Sequence, residues 1–111
     1  MVDDGKLYAV EWTPEFVEDV VAAVSYITNE LKSPMAAQNL YAGIEKQLDS
    51  QRAMPTSATT RVDTNGTTYY IVTHKNWDIY YFIDEETIVA VSLKHHLQAG
   101  GRGALLRDVE V

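Results

Sequence analysis

Three segments rich in β-branched and aromatic residues follow one another in the second half of the chain, and only short polar turns separate them. They cover residues 67–75, 77–84 and 87–94, and Asn65-Gly66 joins the first of them to a further short segment at 61–64. Residues of these types favour strands, and Asn-Gly favours tight hairpins because both residues tolerate positive φ. Consecutive strands joined by such turns predict an antiparallel sheet.

The first half of the chain predicts a strand over residues 7–12 and then two helices. Thr13-Pro14 and Ser33-Pro34 each combine a capping hydroxyl with a proline that suits the first helical position. Gly43, inside the second helix, indicates a close helix–sheet contact, and the link at Lys32-Ser33 favours an antiparallel helix hairpin. Apolar residues at helical spacing predict the buried faces, namely Phe16, Val20, Val24, Ile27 and Leu31 in the first helix and Ala37, Leu40, Tyr41, Ile44 and Leu48 in the second.

The predicted fold is α+β, with the element order β-α-α-β-β-β and one further strand. An antiparallel sheet carries the helix hairpin on one face. The 111 residues fit one domain, with a core over about 7–98 and a glycine-rich tail at 99–111 that is expected to be flexible or to order on a partner. Alternation along 77–84 sends apolar side chains to both faces of the sheet, so a partner segment is expected on the face without helices.

Composition excludes several classes of function. There is no cysteine, which removes disulfides, thiolate nucleophiles and zinc–sulfur sites, and no metal or cofactor motif is found. The net charge of −7 opposes non-specific binding to nucleic acid. The charge is uneven: residues 1–50 carry three basic and nine acidic side chains, whereas residues 51–111 carry six and seven. Neither a secretory signal nor a membrane helix is predicted, which favours the cytoplasm.

Three stretches of the sequence together resemble one known family. LYAVEWTPEFVEDV (7–20) is similar to its opening strand and acidic helix, and SPMAAQNLYAGIEKQL (33–48) is similar to its second helix. TNGTTYYIVTHKNWDIYYFIDEETIVAVSLKHH (64–96) resembles its closing hairpins, down to a histidine near the end of the last strand. With Pro55 at the position of a loop proline, the order of these stretches resembles the RelE/ParE superfamily of toxins from type II toxin–antitoxin pairs.

The resemblance implies a toxin that a cognate antitoxin binds and blocks. ParE-like members inhibit DNA gyrase, RelE-like members cleave messenger RNA on the ribosome, and some members keep the fold without a demonstrated activity. A homodimer and a toxin–antitoxin hetero-oligomer are both compatible with the resemblance.

A ribonuclease of this family would need a base, an acid and cations around the scissile phosphate, without a metal. The candidates are His95, His96, Tyr70, Arg61 and Lys94, and His74 and Lys75 are also eligible. Histidine titrates near neutral pH, with an ordinary pKa of about 6.5. Alternation along the last strand predicts one face with Val89, Val91, Leu93 and His95 and another with Ser92, Lys94 and His96. Lys94 and His96 would then flank a bound phosphate.

Two departures from the family weaken the ribonuclease hypothesis. Tyr70 occupies a position where the family commonly has an arginine, and a tyrosine cannot act as a fixed cation. Leu97 and Gln98 follow the late histidines where arginines are expected. The sequence therefore slightly favours a ParE-like inhibitor of gyrase over the ribosome-dependent endonuclease, and a non-toxic binding scaffold is the third hypothesis.

Overall fold

The computed structural model describes residues 6–95, which form two helices and one five-stranded sheet. The predicted tail from residue 99 and the candidate His96 lie outside the described residues. In chain order the elements are β1 (Ala9–Trp12), α1 (Pro14–Asn29), α2 (Pro34–Ser50), a short 3₁₀ turn (Pro55–Ser57), β2 (Thr59–Val62), β3 (Thr68–His74), β4 (Trp77–Asp84) and β5 (Thr87–His95).

Both helices begin where the sequence predicts. The Thr13 hydroxyl accepts a hydrogen bond from the Phe16 N–H at 3.1 Å, and the Ser33 hydroxyl accepts one from the Ala36 N–H at 3.3 Å. Each proline occupies the first turn, where a missing N–H leaves no hydrogen bond unmade. The helix hairpin therefore follows directly from its two capping signals.

The strand order is β1-β5-β4-β3-β2, with the longest strands at the centre. Strands β2 to β5 form the predicted antiparallel sheet, but β1 pairs in parallel with β5, so the complete sheet is mixed. Parallel pairing follows because the helix hairpin and three further strands separate β1 from β5 along the chain, and this crossover returns the chain beside β1 in the same direction. None of the described helices is long and apolar enough to cross a membrane.

The core lies between the helix hairpin and one face of the sheet, called here the helix face. Its fully buried side chains include Phe16 and Ile44 from the helices and Ile79, Tyr81 and Ile88 from the sheet, and each such residue contributes about 1.5–3 kcal/mol. The Tyr81 hydroxyl donates to the Pro55 carbonyl at 2.6 Å, which ties the 3₁₀ turn to the core.

Two residues of the predicted helical stripes lie outside this core. Leu31 is 57% exposed because α1 ends at Asn29, before Leu31 can join its face. Tyr41 is 42% exposed because it points sideways against Trp12, with ring centroids 5.8 Å apart. The predicted contact at Gly43 is confirmed: a Cβ atom built there would collide with the His74 ring of β3.

Strand β5 contains an extra residue. Ser92 pairs with Tyr80 and Ala90 pairs with Tyr81, so Val91 has no partner across β4 and forms a β-bulge. A bulge shifts the alternation of side chains by one residue.

The predicted faces of β5 are therefore partly wrong. Leu93 belongs to the core, whereas Val89 does not and lies opposite Phe82 on the other face of the sheet. This second face, called here the open face, carries Tyr80 and Phe82 as the alternation along β4 predicts. Apolar residues thus lie on both faces of the sheet.

Candidate functional site

Two of the candidate catalytic residues, Arg61 and Lys94, lie on the open face. Arg61 is directly opposite Tyr69 on β3, and the Tyr69 ring packs edge-on against Phe82 with a centroid distance of 6.3 Å. Lys94 is directly opposite Asp78 of β4. Cross-strand partners share a face, so both side chains lie on the open face. Two strands, β3 and β4, therefore separate the strands that carry the two cations, because β2 is one edge of the sheet and β5 is next to the other edge.

Two other candidates, Tyr70 and His95, lie on the helix face. The Tyr70 ring stacks on the buried Tyr81 with a centroid distance of 5.5 Å and an interplanar angle of 16°. The His95 ring meets Trp77 edge-on at 4.9 Å. Both side chains are half-buried and packed against other aromatic rings.

The structure consequently divides the described candidates between two surfaces. Arg61 and Lys94 face away from the helices, and Tyr70 and His95 face towards them. An acid, a base and a phosphate-binding cation need to reach one scissile bond together. These four side chains do not converge on a common cleft, and the structure assigns no position to His96.

His74 and Lys75 are also apart from the cations of the open face. His74 packs against Gly43 of α2, and Lys75 begins the β3–β4 turn with a φ of 56°. Both line a small depression of about 200 Å³ between α2 and this turn. Within residues 6–95 no group of three His, Asp or Glu side chains is placed to hold a metal ion.

The electrostatics of the open face centre on its tyrosines. Burial raises the pKa of Tyr80 above its ordinary value, although the nearby charge of Arg61 acts in the opposite direction. Burial and the nearby negative charge of Asp63 raise the pKa of Tyr69. Both phenols are therefore neutral at physiological pH and can donate hydrogen bonds but cannot act as anionic bases.

A groove of about 620 Å³ lies between α1 and the end of the sheet. Before α1 begins, the Thr13 N–H and hydroxyl both donate to the Ala90 carbonyl of β5, which ties the start of the helix to the sheet. Further along β5, the Leu93 N–H donates to the Asp19 carboxylate of α1 at 3.0 Å. The lining is mostly apolar, and it comprises Asp19, Ala22, Ala23, Tyr26, Ile27, Leu31, Trp77, Leu93 and His95.

The groove is the feature that sequence reasoning missed. Asp19 reads in the sequence as a favourable charge near the start of α1, yet its carboxylate binds a backbone N–H that lies 74 residues away. Leu31 was assigned to a buried stripe, but it lines the groove and is 57% exposed. The predicted apolar stripe of α1 extends to Leu31, but the helix ends at Asn29. This mismatch is the one signal that could have indicated an uncovered apolar surface.

A helix hairpin on a five-stranded mixed sheet is found together with a match to a family of toxins from type II toxin–antitoxin systems. Residues 10–100 match the family described as ParE toxin of type II toxin–antitoxin system, parDE, and the chain belongs to this family. No match was found among curated proteins.

Two solved structures share the fold. The chromosomal ParDE toxin–antitoxin system from P. aeruginosa contains a chain with a TM-score of 0.66 and 13% identity, and the alignment covers 80% of this chain and 96% of that one. The toxin–antitoxin complex RelBE2 from Mycobacterium tuberculosis gives a TM-score of 0.56 and 17% identity, with 84% and 95% covered. At these identities the likeness concerns the fold.

Proposed function

We propose that this ParE-family toxin acts in the cytoplasm as an inhibitor of DNA gyrase, that it does not cleave RNA, and that a cognate antitoxin neutralises it. The observation that carries the proposal is the separation of the candidate catalytic groups. Arg61 and Lys94 lie on the open face, whereas Tyr70 and His95 pack on the helix face. An inhibitor that works by binding needs no convergence of these groups.

The charge of the chain supports the same choice. A ribosome-directed enzyme must approach a polyanion, and a net charge of −7 slows such an encounter. The acidic side chains are concentrated in residues 1–50, which include both helices. A protein target with basic residues suits this surface better than RNA does.

The groove beside α1 supports an antitoxin as the constitutive partner. Tyr26 and Leu31 are more than half exposed there, and exposed apolar side chains beside a long cleft are typical of protein–protein binding sites. Asp19 adds a carboxylate to the lining. The groove therefore suits an antitoxin segment with apolar side chains and a flanking lysine or arginine.

Two assays with the purified protein test the proposed target. In the first, gyrase converts relaxed plasmid to the supercoiled form, and we expect the protein to inhibit this conversion in proportion to its concentration. In the second, translated message is analysed by primer extension, and we expect no new ends. Discrete cuts that disappear in the Lys94→Ala or Arg61→Ala variant, with normal supercoiling, would instead establish the ribosome-dependent endonuclease.

A growth experiment tests the antitoxin. Expression of the chain alone should arrest growth, and co-expression with the small open reading frame beside its gene should restore it. Normal growth without any partner, together with unaffected supercoiling, would replace the toxin by a non-toxic scaffold of the same fold.

A further inference from the structure

Strand β1 covers only the first part of the β5 edge. It pairs with residues 87–90 and ends at Trp12, because the chain then turns into α1. Beyond Ala90, β5 keeps its pairing with β4 on one side, but no strand within residues 6–95 lies on the other. The strip beside residues 91–95 that continues the line of β1 is called here the edge lane. It borders the groove beside α1, because Leu93 and His95 line that groove.

Backbone groups of β5 point into the edge lane. The Leu93 N–H points away from β4, since its acceptor is the Asp19 carboxylate of α1 at 3.0 Å. The N–H and C=O of one strand residue point to the same side, so the Leu93 carbonyl faces the lane as well. Within residues 6–95 no hydrogen bond to this carbonyl is formed. A strand edge with such groups is a template for an added strand.

Asp19 occupies the position that a strand carbonyl would take. Its carboxylate can leave the Leu93 N–H by rotation about its side-chain bonds, without a change in the backbone of α1 or β5. A main-chain carbonyl of a bound segment can then accept this N–H, and an N–H of the segment can donate to the Leu93 carbonyl. The released carboxylate is available to a lysine or arginine of the same segment.

We propose that the antitoxin segment in the groove beside α1 is an extended strand that pairs with β5 at Leu93 and displaces the Asp19 carboxylate. This mode of binding rests on the proposed function, which supplies the antitoxin as the occupant. A strand of about five residues spans roughly 16 Å, which is the length of β5 from Val91 to His95. Its side chains towards α1 meet Tyr26 and Leu31, which are 55% and 57% exposed.

A helix and a second copy of the toxin are less suitable occupants. A helix uses its backbone groups internally, so it would cover the Leu93 carbonyl without donating to it. A second copy also carries a net charge of −7, and Asp19 adds a carboxylate to the lining of the groove. Two acidic chains repel each other, whereas a segment with a lysine or arginine is attracted to this surface.

Hydrogen exchange of the Leu93 amide tests the pairing in the Asp19→Ala chain, where the competing acceptor is removed. The probe is the protein encoded by the small open reading frame beside the gene, added to isotope-labelled toxin. The Leu93 amide should exchange rapidly in the free variant, and we expect it to exchange at least tenfold more slowly in the complex.

Asp63→Ala is the matched control. The Asp63 carboxylate accepts the Thr67 N–H at 2.9 Å beside β2, which is the opposite edge of the sheet. This variant also removes a carboxylate from a backbone N–H, but far from the groove. The Thr67 amide of Asp63→Ala should therefore exchange at the same rate with and without the antitoxin.

The outcomes separate this inference from the proposed function. A complex in which the Leu93 amide of Asp19→Ala exchanges as fast as in the free variant would overturn the strand pairing and leave the antitoxin in place. Failure of the unaltered toxin to form a complex would contradict the proposed function, and the strand pairing with it. Protection of Leu93 that appears without antitoxin and grows with toxin concentration would assign the edge lane to a second copy and also overturn the proposal.

The unaltered toxin covers the case in which Asp19→Ala does not fold. Paired strands lie about 4.8 Å apart, so nuclear Overhauser contacts are expected between the Leu93 backbone protons and backbone protons of the antitoxin. A complex of the unaltered toxin without such contacts would reject the pairing.

Discussion

At the scale of single residues, Gly43 marks the closest approach of α2 to the sheet. A Cβ atom at this position would collide with the His74 ring, so the helix can lie at its observed distance only because the residue is a glycine. Glycine inside a helix normally costs about 1 kcal/mol relative to alanine. Here that cost is offset by close packing.

We predict that Gly43→Ala lowers the free energy of unfolding by about 1–3 kcal/mol, because overpacking displaces the His74 ring. The sign should reverse in a His74→Ala background, where the new methyl group meets no ring and the higher helix propensity of alanine remains. Urea unfolding of the four variants gives the coupling energy. Equal effects of Gly43→Ala in both backgrounds would contradict the contact.

A second residue-level prediction concerns Asp19. Its carboxylate accepts the Leu93 N–H beside the bulge, and removing the acceptor leaves a part-buried N–H without its bond. Asp19→Ala should therefore lower stability by about 1–2 kcal/mol, and Asp19→Asn should lower it less because the amide oxygen still accepts. Hydrogen exchange of the Leu93 amide should accelerate most in the alanine variant. An unchanged exchange rate would show that another group protects this amide.

The residue scale also shows the limit of prediction for the candidate site. The types of Arg61, Tyr70, Lys94 and His95 are visible in the sequence, but their placement on faces depends on register. Val91 is one extra residue in β5, so the alternation of side chains between the two faces shifts by one position there. Simple alternation places Val89 with Leu93, and nothing in the local sequence signals the bulge that separates them.

At the scale of elements, the hairpin at Asn65-Gly66 forms by a different turn from the one that the sequence suggests. Among the described residues of this turn only Gly66 has positive φ, at 89°, and its N–H donates to the Asp63 carbonyl. The Asp63 carboxylate accepts the N–H groups of Asn65 and Thr67, which fixes the turn further. Gly66 is therefore needed because it adopts positive φ, whereas Asn65 does not adopt positive φ in this turn.

We predict that Gly66→Ala lowers the free energy of unfolding by about 1–2 kcal/mol through backbone strain alone. The added methyl group would meet no atom within 4 Å, so no steric contact contributes. Asn65→Ala should cost clearly less, because the backbone N–H of this residue, which the substitution keeps, is the group bound by Asp63. Thermal unfolding of the two variants compares these costs, and equal losses would indicate that both residues need positive φ.

Elements that depend on local chemistry were predicted well. The helix starts rest on Thr13-Pro14 and Ser33-Pro34, and β4 runs over Trp77–Asp84 as its composition and flanking turns indicate. The parallel pairing of β1 with β5 was not predicted, because it joins segments that lie about 78 residues apart. Long-range pairing depends on how the whole chain packs and leaves no signature within either strand.

At the scale of the whole molecule, buried phenols couple folding to alkaline pH. Burial raises the pKa of Tyr81 above the ordinary value of 10.0, and the pKa values of Tyr69 and Tyr80 are raised as well. Above pH 10 the unfolded chain loses these protons more readily than the folded chain does. The associated stability is complete below about pH 10 and decreases as the pH rises through the folded-state values.

We therefore predict a free energy of unfolding that decreases above pH 10. Tyr81→Phe should lower stability at neutral pH, because the buried hydroxyl donates to the Pro55 carbonyl, but it should flatten the alkaline decrease. Tyr26→Phe, at an exposed position, serves as the control and should leave the slope unchanged. Urea unfolding between pH 8 and pH 11 measures the three slopes, and equal slopes would rule out Tyr81 as a contributor.

The groove beside α1 yields the final prediction, because it joins both layers of the molecule in one exposed apolar surface. Ala22 lines the groove and is exposed, whereas Ser25 lies on the same helix, is also exposed and does not line the groove. Arginine suits a helix at both positions, so each variant should fold and remain toxic. If the antitoxin occupies the groove, Ala22→Arg should weaken its binding at least tenfold and abolish growth rescue, while Ser25→Arg should behave as the unaltered chain. Rescue of both variants would place the antitoxin on another surface of the toxin.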